Sequence, residues 1–93
     1  MRQAIVIHVE AEDFDQWFPA HDGQQEARKA YGITDGPFYR DATDPNKALV
    51  HLNVEDMDRA MEWFKSDEFR GAVAAAGNVS RSIWTAEELT PNR

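Results

Sequence analysis

The chain of 93 residues carries 10 basic and 17 acidic side chains, a formal net charge of −7, and 42% apolar residues. This negative charge repels phosphate backbones and anionic lipid surfaces, so neither a nucleic acid nor a membrane is an expected partner. There is no cysteine, which excludes disulfides, thiolate catalysis and cysteine-ligated zinc. We expect one cytoplasmic domain over residues 1–93, structured over about 3–86 with a polar tail at 87–93.

The first predicted element is a strand in the stretch AIVIHVEAED, residues 4–13, which is apolar on both sides. A period of two places Ile5, Ile7 and Val9 on one face. The opposite face holds Ala4, Val6, His8 and Glu10. Because this second face is also largely apolar, something must cover it.

A helix is predicted next, because apolar and aromatic side chains recur at the spacing i, i+3, i+4, i+7. They are Phe14, Trp17, Phe18 and His21. His21 thus continues the apolar stripe, as a histidine at the edge of the core would. Pro19 leaves two alternatives open: the helix kinks there, or a short turn precedes a helix that begins near Pro19.

Two extended runs joined by TDPN then predict a β-hairpin in GPFYRDATDPNKALVHLNV. On the second run, Ala48, Val50, Leu52 and Val54 form one apolar face. Leu49, His51 and Asn53 form the other. If the loop is residues 43–46, the expected facing pairs are Phe38 with His51 and Arg40 with Leu49. A loop length that differs by one residue replaces Phe38 by Tyr39 on that face.

A second helical region follows in two pieces, EDMDRAMEWFK and SDEFRGAVAAAG, each with the same helical spacing of apolar residues. Ser66 is expected to cap the second piece and Gly77 to end it. The run NVSRSIWTA predicts a fourth strand, on which either Ile83 or Trp84 points away from the helices.

The element order β-α-β-β-α-β predicts an α+β, ferredoxin-like fold, a four-stranded antiparallel sheet with both helices on one face. The first and third strands are then central neighbours, and their second faces stay uncovered. An apolar face of this size exceeds what soluble monomers usually expose. We therefore expect a homodimer that buries about 800 Å² per partner and encloses space for an apolar small-molecule ligand.

Several stretches resemble the dimeric α/β-barrel superfamily that includes the antibiotic-biosynthesis monooxygenases and cyclase-like bacterial proteins. They are FDQWF, ARKAYGI and YRDATDPNKALVHLNVEDMDRAMEWFKSDEFRGAVAAAGNV, which together span nearly the whole chain. The resemblance implies a dimeric barrel formed by paired sheets, and activity less strongly than fold. In this superfamily, cofactor-independent monooxygenases oxidise aromatic polyketides, whereas the haem-degrading members bind haem through a histidine of the second helix. No histidine lies between Asp56 and Gly77, so no haem and no other cofactor is expected.

The predicted catalytic residues are His8 and His51, because imidazole exchanges protons near neutral pH. The alternative is that both are hydrogen-bonded histidines of the dimer interface. The spacing His8-x-Glu10 and His51-x-Asn53 also fits a metal site, but spacing alone is weak evidence and no metal is expected.

The predicted substrate-binding residues are Phe38, Arg40, Asn53 and Trp84. Arg40 would hold a carboxylate or enolate, Asn53 a carbonyl, and the aromatic rings a planar ligand. The first hypothesis is a cofactor-independent monooxygenase-like or cyclase-like enzyme in which a histidine forms an enolate. The second is a non-catalytic dimer that binds a metabolite or a partner protein.

Overall fold

Eight elements follow one another along residues 2–89, the part of the chain that the computed structural model describes. They are β1 (Gln3–Ala11), α1 (Phe14–Asp22), α2 (Gln25–Ala30), β2 (Ile33–Arg40), β3 (Lys47–Val54), α3 (Met57–Trp63), α4 (Asp67–Ala76) and β4 (Val79–Glu87). Each predicted helical region is a pair of helices, and the predicted ferredoxin-like α+β fold is confirmed. Residues 90–93 of the predicted polar tail lie outside the described residues.

The helix boundaries follow from local capping chemistry. The Asp13 carboxylate accepts a hydrogen bond from the Asp15 N–H at 3.0 Å, so α1 begins before Pro19 and runs through it. The break instead comes at Gly23, which separates α1 from α2. Ser66 accepts from the Phe69 N–H at 3.2 Å and caps α4, while Gly77 ends α4 with a φ of 78°, as predicted.

The sheet has the strand order β2-β3-β1-β4, and every pair is antiparallel. In the central pair Ile5 faces Leu52 and Ile7 faces Val50. These aliphatic side chains are buried under the helices, so the predicted apolar faces of β1 and β3 are confirmed. The helices contribute Phe14, Trp17, Ala60, Trp63 and Ala76 to the same core.

The predicted register of the hairpin is wrong by one residue. Asp41 N–H donates to the Lys47 carbonyl at 2.9 Å, so the loop is residues 42–46 rather than 43–46. The Asp41 carboxylate organises the longer loop by accepting hydrogen bonds from both the N–H and the hydroxyl of Thr43 and from the Asp44 N–H. These hydrogen bonds lower the pKa of Asp41, because they favour its charged form.

The longer loop moves two predicted site residues to the opposite side of the sheet. Phe38 pairs with Val50 and Arg40 with Ala48, so both lie on the helix face. Tyr39 pairs with Leu49 and takes the place on the outer face. A bulge between Asp35 and Phe38 separates this register from the one at the start of β2.

Strand β4 resolves the choice that its sequence left open. Trp84 pairs with Val6 and lies on the outer face, whereas Ile83 pairs with Ile7 and lies on the helix face. Two residues earlier on the helix face stands Arg81, opposite Val9. The edge of the helix layer leaves Ile83 42% exposed.

Candidate functional site

An apolar cavity lies between the sheet and the helices. Its walls are the aliphatic side chains of β1 and β3 and the aromatic rings of Trp17, Trp63, Phe64 and Phe69. Its polar groups belong to His21, Gln24, Arg28 and Arg81. The cavity volume is about 40 Å³, which holds a few water molecules. We call it the aromatic cavity; a few polar groups among apolar walls are typical of a small-molecule site.

A second cavity opens where β2 bulges away from β3. It measures about 230 Å³ and shares His21, Val50 and Leu52 with the aromatic cavity. Its other walls come from the end of α1, the start of α2 and the bulge; they are Phe18, Asp22, Gln25, Asp35, Gly36, Phe38 and His51. We call it the bulge cavity. The two cavities are therefore neighbours, with His21 between them.

The surroundings of His21 strongly lower its pKa. Its ring stacks on Trp17, with 5.2 Å between the ring centroids and 12° between the planes. The pKa of His21 is lowered from 6.5 to about 4, mainly by burial and then by the positive charge of Arg28, with a smaller contribution from Arg81 and an opposing effect of Asp35 and Asp22. The imidazole is therefore neutral at physiological pH.

Arg28 fixes the backbone around this histidine. The guanidinium is 2% exposed and binds the Asp35 carboxylate through both oxygens, each at 3.1 Å. Its third contact is a 2.7 Å hydrogen bond from Nη1 to the His21 carbonyl. One side chain thus links α2, β2 and the end of α1, and all its charge is matched by Asp35.

Arg81 differs from Arg28 because its charge is not matched. Within residues 2–89 no acidic side chain lies within ion-pair distance of its guanidinium. The side chain is half-buried at the aromatic cavity, and this burial lowers the pKa of Arg81. A partly desolvated cation beside aromatic walls can stabilise the oxygen of an anionic ligand.

The two predicted catalytic histidines do not meet in one cavity. His8 is exposed on the outer face, with its ring centroid 6.3 Å from that of Trp84, and lines an open groove with Ser82. His51 is half-buried beside Gly36 and lines the bulge cavity. Their catalytic roles stay predictions.

The predicted substrate-binding residues divide between the two faces of the sheet. Trp84 and Asn53 lie on the outer face, where Asn53 is half-buried opposite Ala4. Phe38 lies in the aromatic cluster of α1. The Arg40 guanidinium lies 4.0 Å above the Phe14 ring, and its Nε donates to the Pro45 carbonyl at 2.8 Å, so Arg40 is engaged at the hairpin. No group of three or more histidine, aspartate or glutamate side chains in the described part of the chain could hold a metal ion.

His21 and Arg81, two of the polar side chains of the aromatic cavity, were not among the predicted site residues. A usable signal existed for Arg81, because a period of two places it on the same face of β4 as Val79 and Ile83. A cation on a helix-facing strand position needs either an acidic partner or a ligand. Nothing in the local pattern indicated that the end of α1 and β4 approach the same cavity.

In comparisons by sequence, no protein-family model matches the chain, and no curated protein matches it. Among the described residues no helix is long and apolar enough to cross a membrane.

Solved structures match over nearly the full length. A candidate antibiotic biosynthesis monooxygenase from Caulobacter crescentus has a TM-score of 0.71 at 18% identity, covering 94% of this chain and 91% of its own. SnoaB, a cofactor-independent oxygenase from Streptomyces nogalater, has a TM-score of 0.68 at 14% identity, covering 98% of both chains. Rv0793 from Mycobacterium tuberculosis has a TM-score of 0.66 at 13% identity, covering 96% of this chain and 99% of its own. At these identities the likeness concerns the fold, and the chain has the ferredoxin-like α+β fold of the antibiotic biosynthesis monooxygenase-like proteins.

Proposed function

We propose that this protein is a small homodimeric enzyme, monooxygenase-like or cyclase-like, that binds a planar aromatic molecule across the aromatic cavity and the adjoining bulge cavity without a dedicated cofactor. The observation that carries the proposal is the pairing of Arg81, a half-buried cation with no acidic partner among residues 2–89, with the neutral imidazole of His21 at one aromatic cavity. Arg81 would hold an enolate or carboxylate oxygen of the ligand. His21 would accept the proton released when the enolate forms.

The low pKa of His21 is compatible with this role. Burial and Arg28 are the main causes that lower the His21 pKa, and Arg81 makes the smallest contribution. A ligand anion bound to Arg81 would offset that contribution, and the neutral imidazole is already in the form that accepts a proton. The enolate that results is electron-rich, and both oxygenation and cyclisation can follow from it.

The outer face of the sheet supports the homodimer. Large apolar side chains stand exposed on it, with Tyr39 at 58% and Trp84 at 61%. Val6 and Leu49 add aliphatic area between them. A second copy of the chain is the proposed cover, and it would also enclose His8.

Ligand binding is tested with two probes of equal ring system, 1-naphthoate and the uncharged 1-naphthylmethanol. We expect Arg81→Gln to weaken 1-naphthoate binding by about 10- to 100-fold, the value of a hydrogen-bonded charge, and to leave 1-naphthylmethanol nearly unaffected. Arg70→Gln, an exposed arginine paired with Asp67 on α4, is the matched control. Equal losses for both probes would contradict an anion site at Arg81.

Catalysis is tested separately by oxygen uptake with a hydroxylated naphthalene. We expect His21→Gln to lower the rate by about 100-fold, as removal of a proton acceptor does, while His8→Gln and His51→Gln stay near the wild-type rate. The opposite result would support the catalytic histidines predicted from sequence. Ligand binding without any turnover would support the alternative, a non-catalytic metabolite-binding dimer.

A further inference from the structure

The aromatic cavity is too small to hold a ring system by itself. Its volume is about 40 Å³, whereas sites for drug-sized ligands measure about 300–1,000 Å³. The bulge cavity adds about 230 Å³ next to it and reaches the surface between exposed residues of α1, α2 and β2. A ring system that contacts His21 and Arg81 therefore needs space beyond the aromatic cavity, and the bulge cavity, which shares His21 with it, supplies that space.

The ring of Phe38 stands on this path. It lies nearly parallel to the Trp17 ring, at 5.9 Å between centroids and 16° between planes, and to the His21 ring, at 6.3 Å and 20°. Phe18 closes the other side at 5.5 Å. At these centroid separations no further ring fits between Phe38 and its neighbours. Phe38 therefore closes the passage and must be displaced, and a flat molecule requires a smaller displacement than a globular one.

Phe38 also has room to move. Its side chain is 38% exposed, unlike Trp17 at 3%. It follows the bulge, where Gly36 carries no side chain and Pro37 has no backbone N–H to donate to β3. Strand β2 lies at the edge of the sheet, so Phe38 has a neighbouring strand on one side only, where it pairs with Val50 of β3.

We propose that the bulge cavity is the entrance to the aromatic cavity and that Phe38 is the specificity-determining residue of this entrance, admitting flat aromatic molecules and excluding globular ones. This inference rests on the proposed function, because it assumes that the aromatic cavity receives a ligand. The sequence predicted Phe38 as a substrate-binding residue. The inference gives Phe38 a different role, the control of ligand entry.

The test compares two carboxylates of similar size, the flat 1-naphthoate and the globular 1-adamantanecarboxylate. Association and dissociation rates are measured by stopped flow from the fluorescence of the buried Trp17 and Trp63, in a Trp84→Phe background that removes the exposed tryptophan. The variants are Phe38→Ala and the milder Phe38→Leu. Leu89→Ala is the control, since Leu89 is a large apolar residue, 80% exposed, that lines neither cavity.

We expect Phe38→Ala to raise the association rate of 1-adamantanecarboxylate by about tenfold or more. For 1-naphthoate, association and dissociation should accelerate together by more than Kd changes, because Phe38 controls entry in addition to lining the bulge cavity. Phe38→Leu should lie between the wild-type chain and Phe38→Ala, and Leu89→Ala should match the wild-type chain.

Two results would overturn the inference. If Phe38→Ala changes Kd for both probes while the association rates stay constant, Phe38 is part of the wall that holds the ligand. If neither rates nor affinities change, the ligand enters elsewhere. A wild-type chain that binds no 1-naphthoate contradicts the proposed function itself, and this outcome is distinct from both.

Discussion

At the scale of single residues, His21 makes the stability of the protein depend on pH. Its pKa is lowered from 6.5 in the unfolded chain to about 4 in the folded chain. Below pH 6.5 the unfolded state binds a proton that the folded state does not, so stability falls as the pH drops from 6.5 towards 4 and then levels off. Asp41, whose folded pKa is lowered from 3.8, contributes only at still lower pH.

We therefore expect the free energy of unfolding of the wild-type chain to fall by at most roughly 3 kcal/mol between pH 7 and pH 4. In His21→Phe, which keeps an aromatic ring on Trp17 but cannot bind a proton, most of this decrease should disappear. Urea unfolding at several pH values measures both proteins. An equally steep decrease in His21→Phe would mean that other groups cause the acid sensitivity.

At the scale of elements, the buried Arg28 attaches the short helix α2 to β2 through its ion pair with Asp35. Arg28→Met removes the partner of Asp35 and the hydrogen bond to the His21 carbonyl. We expect a loss of roughly 2 kcal/mol in the free energy of unfolding, because the His21 carbonyl and the Asp35 carboxylate lose their charged donor, while Asp35, 36% exposed, keeps water as a partner. Chemical denaturation measures the loss.

The double variant Arg28→Met/Asp35→Leu separates charge from packing. It removes both charges, so we expect it to recover part of the stability that Arg28→Met loses, namely the cost of the unpaired Asp35 carboxylate. No recovery would show that Arg28 stabilises the fold through its contact with the His21 carbonyl rather than through Asp35.

The strands and helices were largely predictable because their signals are local. Alternation in β1 and β3 gave the buried faces, and Ser66 and Gly77 marked the ends of α4. The hairpin register was not predictable in the same way. It depends on the hydrogen bonds of one side chain, Asp41, and a shift of one residue moves every side chain of the strand to the other face.

The candidate site was harder to predict than the fold. His21 was identified only as part of an apolar stripe, and Arg81 only as one residue of a strand. Their relation depends on how α1 packs over the sheet, which no local pattern contains. His8 and His51 were predicted as catalytic because strand alternation places both on the face opposite the helices. A buried histidine on a helix, such as His21, has the same spacing as any core residue.

At the scale of the whole molecule, the proposed homodimer forms through the exposed outer face. We expect the wild-type chain to be a dimer at micromolar concentration and Trp84→Glu to be monomeric, because a carboxylate at the centre of an apolar interface is left unpaired. Ile83→Glu is the matched control, since Ile83 is also partly exposed but lies on the helix face. Sedimentation velocity measures the mass of each; a dimeric Trp84→Glu with a monomeric Ile83→Glu would contradict the proposed interface.

The bulge in β2 also limits how this sheet can grow. Backbone hydrogen bonding between molecules needs a straight free edge, and on β2 the irregularity between Asp35 and Phe38, together with Pro37, interrupts the row of donors and acceptors. Strand β4 pairs with β1 over its full length without interruption and leaves a regular outer edge. Fibre growth by strand pairing requires two regular strand edges on every molecule. This sheet has one regular edge, on β4, so strand pairing between molecules stops at two copies. The apolar sheet is thereby protected from polymerisation.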